Sequence, residues 1–147
     1  MRRRFALLLL LVFVVALTGA CATRAHLQFI PEGGTYTAES LPAALETSDA
    51  GTTAKIATGD ASAVRQQVLA DLRTNGDEAG AVADVLTAEF PQDVAAVPYA
   101  VEKGTYEGEP AWIVFEAWGE PGGTLSYRRI WVFAAADKAV MAAHSVR

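Results

Sequence analysis

The sequence predicts an α+β domain in which a helical hairpin packs on a C-terminal four-stranded antiparallel meander. Three observations carry this. Residues 60–90 hold two apolar stripes at helical spacing, separated by Asn75-Gly76. Residues 98–146 are dense in β-forming side chains and are punctuated by turn signals at regular intervals. Helices followed by consecutive strands form one helical layer on one sheet.

Each element has its own justification. Val64, Val68, Leu69 and Leu72 share one face of a first helix introduced by Gly59-Asp60, and Asn75-Gly76 stops it with a left-handed C-cap. Asp77 caps a second helix whose stripe is Val82, Val85, Leu86 and Phe90, and Pro91 ends it. Residues 98–106 form a first strand closed by the Glu107-Gly108-Glu109 turn. Residues 111–118 read Ala-Trp-Ile-Val-Phe-Glu-Ala-Trp and form a second. Pro121-Gly122-Gly123 turns the chain. Residues 124–134 then alternate, with Leu125, Tyr127, Arg129, Trp131 and Phe133 on one face. Asp137-Lys138 turns it again into a last strand over 140–146. Before the helices the signals are weaker: a short strand over 26–30, a helical turn over 41–46 with Ser40 as N-cap, and a strand over 52–58. The order of elements is similar to cystatin-like and NTF2-like folds, a likeness of architecture that implies no activity.

At 147 residues the chain fits one domain. The expected division is a signal peptide over 1–20, a lipidated N-terminus and tether over 21–40, and a single α+β domain over 41–147. After Cys21 there are nine basic and seventeen acidic residues, a net charge of −8. That sign repels phosphate backbones and argues against nucleic acid as a partner. Cys21 is the one cysteine, so the domain must hold itself together without a disulfide, which its size allows.

Residues 1–4 are basic at Arg2, Arg3 and Arg4, and residues 5–17 run without a charged or polar group, as in a signal peptide. A spanning helix needs about 20 apolar residues, more than this run supplies; extended to Ala22 it comes near that length, which leaves an uncleaved anchor as an alternative. Leu17-Thr18-Gly19-Ala20-Cys21 then places small residues before the cysteine. This segment resembles the lipobox of bacterial lipoproteins, over the first 21 residues only. It departs from the family at Thr18, where leucine is preferred; Leu17 lies one position earlier. The resemblance implies cleavage before Cys21, a lipid on its sulfur and anchoring at the extracytoplasmic face of a cell membrane, which two or three acyl chains make stable. Otherwise an ordinary signal peptide is cut after Ala20 or Ala22.

No P-loop, dinucleotide-binding glycine pattern, His-Glu-x-x-His or Gly-x-Ser-x-Gly occurs, and His26 and His144 are the only histidines. The expectation is therefore no catalytic residue, no cofactor and no metal. A hairpin symmetric about residues 119–123 sets Trp112 opposite Trp131, Val114 opposite Arg129 and Glu116 opposite Tyr127, and the next hairpin brings His144 opposite Arg129 or Trp131. One face then gathers Glu116, Tyr127, Arg129 and His144, bordered by Trp112, Trp118 and Trp131, as in a ligand pocket. The alternative is that the tryptophans are core and that Glu116–Arg129 is a surface pair worth about 0–1 kcal/mol. Glu107-Gly108-Glu109 offers too few oxygens for calcium. Three functions remain: a lipid-anchored binding or interaction module at the cell envelope, with an envelope protein as partner; a lipoprotein holding a small ligand between helices and sheet; and a small enzyme using Glu116, Arg129 and His144. The first demands least.

Overall fold

A computed structural model of the chain describes residues 25–88 and 95–147. Cys21 with its neighbouring small residues, and Phe90 and Pro91, lie outside these residues. The elements are strands β1 (Gln28–Ile30) and β2 (Thr35–Tyr36), helices α1 (Leu41–Thr47), α2 (Ala61–Arg73) and α3 (Asp77–Ala88), and strands β3 (Ala95–Tyr106), β4 (Glu109–Gly119), β5 (Tyr127–Ala134) and β6 (Val140–Val146).

The fold is α+β, and the sheet is mixed. Strands β3 to β6 form the expected antiparallel meander, but β1 and β2 add to the outer side of β3 in parallel. The sheet thus begins well before residue 41, inside the stretch read as a tether. Gly104 permits this: a Cβ there would lie 2.2 Å from the Gly34 carbonyl oxygen, so only glycine lets the two backbones approach. The Glu102 carboxylate then accepts from the Tyr36 hydroxyl at 2.7 Å and the Gly34 N–H at 3.3 Å, fixing β2. Residues 52–58 are not a strand. They belong to 3-10 turns at Gly51–Lys55 and Thr58–Asp60, with one bridge from Ala57 to Thr124. Ser40 does precede α1, but its hydroxyl engages Thr37 and caps no helix N–H.

The helical hairpin follows its stripes. Leu69 and Leu72 of α2 and Ala79, Val82, Ala83 and Leu86 of α3 bury against Val101, Trp112, Val114 and Phe133 of the sheet. The opposite face is covered too: Leu41 and Leu45 of α1, with Ala50 and Ile56, pack on Ile113, Phe115, Ile130 and Val132. Helices on both faces explain why 111–117 is buried at every position and why 111–115 reads as a continuous apolar run. Glu107 and Gly108, at φ 52° and 83°, make the tight turn between β3 and β4.

The β4–β5 register is displaced by two residues from the symmetric hairpin. Trp112 pairs with Phe133, Val114 with Trp131, Glu116 with Arg129 and Trp118 with Tyr127. The cause is Leu125. It is fully buried in the α1-side core and its N–H donates to Ile56 at 3.0 Å, so residues 124–126 join the loop, and Leu125 leaves the face assigned to it. A two-residue slip preserves the faces, so Trp112 and Trp131 still share one side in adjacent strands. Trp112, 1% exposed, stacks on Phe29 with centroids 6.2 Å apart. Trp112→Ala is expected to cost about 3–5 kcal/mol in urea unfolding and to alter the near-ultraviolet circular dichroism.

Candidate functional site

Glu116 lies in the middle of β4 and points to the face covered by α2 and α3. Its side chain is completely buried, where an isolated carboxylate would be prohibitively costly. Four hydrogen bonds offset that cost. Arg65 of α2 donates to Oε1 through Nη1 at 2.7 Å. Arg129, directly opposite on β5, donates to Oε2 through Nε at 3.2 Å and Nη2 at 2.8 Å. The Trp131 indole N–H donates to the same oxygen at 2.9 Å. Arg129 also lies 4.8 Å from the Trp131 ring centroid, in cation–π contact.

Arg65 reaches further. Its Nη1 donates to the Ala96 carbonyl at 3.1 Å and its Nη2 to the Leu86 carbonyl at 2.9 Å. One side chain therefore ties α2 to the last turn of α3, to the start of β3 and to the centre of β4. Both guanidinium side chains are 18% exposed. Burial works against ionisation of Glu116; the charges and hydrogen bonds of Arg65 and Arg129 more than reverse it and hold the carboxyl below the usual glutamate range. A carboxylate held by this many donors is poorly placed to accept a proton from a substrate. What the arrangement does is fasten the helical hairpin to the sheet.

The residues expected to converge do so in part. Trp112, Glu116, Tyr127, Arg129 and Trp131 share the helix side of the sheet, but Trp112 is core. Tyr127 sits two pairs beyond Arg129, against Trp118, with ring centroids 4.9 Å apart. His144 is on the other side: it pairs with Ile130, and Ser145 takes the place opposite Arg129. The reason is an irregularity in β6. Phe133 pairs with Val140 and Val132 with Ala142, so Met141 is an extra residue that reverses the facing of all that follows. The set Glu116, Arg129 and His144 is therefore not assembled. Arg65 was not among the expected residues. Its signal was its position: Arg65, Leu69 and Leu72 lie at i, i+4 and i+7, so a cation stands in the apolar stripe.

A second group lies at the end of the sheet where β3 begins. Arg147 is stacked 5.6 Å from the Trp118 ring centroid and 5.9 Å from that of Tyr127. The Trp118 indole nitrogen is buried without a hydrogen-bond partner among the described residues. Among those residues no group of histidine, cysteine, aspartate and glutamate side chains could hold a metal ion. No protein-family model matches the chain, and no curated protein and no solved structure is significantly similar to it. The cystatin-like and NTF2-like likeness therefore stays one of element order.

Glu116→Gln should cost about 3–5 kcal/mol, because it leaves two guanidiniums buried without their counter-charge. Replacing Arg65, Glu116 and Arg129 together by apolar side chains should recover most of that loss. The folded carboxyl titrates below the unfolded one, so its contribution is complete above about pH 4.5 and is lost as the pH falls through the folded value. Urea midpoints measured from pH 7 down to pH 3 should therefore fall less steeply for Glu116→Gln than for the native chain.

Proposed function

We propose that the chain is an exported lipoprotein whose domain is held at the extracytoplasmic face of a cell membrane through a lipid on Cys21, and that it serves there as a binding or interaction module. Its N-terminal sequence gives the motive: a basic start, an apolar run and small residues before one cysteine. The structural observation that supports it most is how soon folded structure begins after that cysteine. Ala25 is already buried, at 4% exposed, and Gln28 already pairs with Ala100. A domain beginning this close to the anchor is carried at the membrane surface.

The interaction reading is favoured over a small-ligand cavity because Trp112, Phe133 and Leu86, each 1% exposed, fill the space between helices and sheet. It is favoured over the enzyme reading because Glu116 is occupied and His144 lies on the opposite face. No described helix is long and apolar enough to cross a membrane.

Intact mass of the protein extracted from membranes is expected to show a chain starting at Cys21 with acyl mass added. Cys21→Ala should release the protein or leave the precursor uncut. An unmodified mature chain beginning at Ala22 or later would contradict the proposal.

A further inference from the structure

The anchoring reading fixes which end of the domain meets the bilayer. Three residues separate Cys21 from Ala25. Fully extended, that stretch spans at most about 14 Å, so Ala25 stays within that distance of an acylated Cys21. β1 runs parallel to β3 and Gln28 pairs with Ala100, so Ala25 lies toward the end of the sheet where β3 starts at Ala95. The register carries that end across the sheet: Ala95 pairs with Gly119, Trp118 with Tyr127, and Arg128 with Val146. The loop of residues 119–126 and the side chains of Trp118, Tyr127 and Arg147 therefore share the end that Cys21 would tether. The turns at Glu107-Gly108 and at residues 135–139 lie at the opposite end.

The chemistry of this end suits the headgroup zone of a bilayer. Trp118 and Tyr127 are partly exposed and packed together, and tryptophan and tyrosine settle where an apolar ring meets water through a polar tip. The Trp118 indole N–H is itself buried and does not reach the surface, so Arg147 supplies the polar contact at this end. Arg147, stacked over both rings, presents donors that match a phosphate oxygen. Glu120, 3.9 Å from Arg147 and exposed, keeps the patch close to neutral. The domain's net charge of −8 adds no attraction to an anionic surface. The lipid surface that fits is thus zwitterionic.

We infer that the Trp118–Tyr127–Arg147 end of the domain rests on the zwitterionic lipid headgroups to which Cys21 anchors it, with the opposite end directed outward. This rests on acylation of Cys21. The acylated thiol also makes the test clean, since any cysteine introduced elsewhere is the only free one. Ser126→Cys and Ala136→Cys, both at exposed positions at opposite ends, are each labelled with a fluorophore in the full-length membrane-extracted protein, then reconstituted into phosphatidylcholine vesicles carrying a headgroup quencher. Quenching should be several-fold stronger at residue 126 than at residue 136. Brominated phosphatidylcholine should also quench the native tryptophan emission, and Trp118→Phe should remove most of the quenchable part. Equal quenching at the two labels, stronger quenching at residue 136, or no effect of Trp118→Phe would overturn the orientation while leaving the anchor intact. A chain that lacks acyl mass and does not float with vesicles overturns the anchoring, and the orientation with it.

Discussion

The arrangement of helices on sheet depends on one buried carboxylate. Glu116 has no access to water, and its charge is tolerable because Arg65 reaches it from the helices while Arg129 and Trp131 reach it from the neighbouring strand. An apolar interface between α2 and the sheet would tolerate sliding, because hydrophobic contact has no direction. Hydrogen bonds from Arg65 to Glu116, Ala96 and Leu86 do not. They require α2 to stand at one height against β4, and the last turn of α3 to meet it there. The cluster buys position more than free energy.

The same constraint decides how the candidate site reads. A carboxylate and an arginine beside tryptophans have the composition of a binding pocket. Here the carboxylate oxygens are met by donors from within the fold, and the most buried aromatic of the set, Trp112, is packed beneath the helices. The proposed role at a membrane rests instead on the N-terminal sequence and on how early the fold begins after Cys21. In the orientation inferred above, the turn between β3 and β4 and the turn before β6 face away from the lipid.

Much of this was legible in the sequence, and the rest was not for identifiable reasons. The two helices follow from their stripes, and β4 and β6 from composition and turn residues. Periodicity is a local signal and short range is where it works. β1 and β2 are three and two residues long and pair in parallel with a strand some seventy positions away, a contact that no local pattern announces. The second layer was hinted at by the unbroken apolar run of 111–115, which a half-exposed strand would not show. Registers failed where extra residues enter. Leu125 moved the β4–β5 pairing by two and so kept every β5 facing from Tyr127 on, whereas Met141 moved β5–β6 by one and sent His144 to the other side. Arg65 was visible in the stripe of α2, but its partner is fifty-one residues away, and no spacing rule connects them.

The claim that Glu116 and Arg65 act as one unit is tested most directly by a double-mutant cycle, with the free energy of unfolding measured for the native chain, Arg65→Met, Glu116→Leu and the double variant. Arg65→Met leaves Glu116 with Arg129 as its charge partner, Glu116→Leu strands both guanidiniums, and the double change strands Arg129 alone. The account predicts that the double variant is less destabilised than the sum of the two singles, by about 0.5–3 kcal/mol or more. Additivity within about 0.5 kcal/mol would show that the two residues contribute independently, and would contradict the view that this ion pair sets the helices on the sheet.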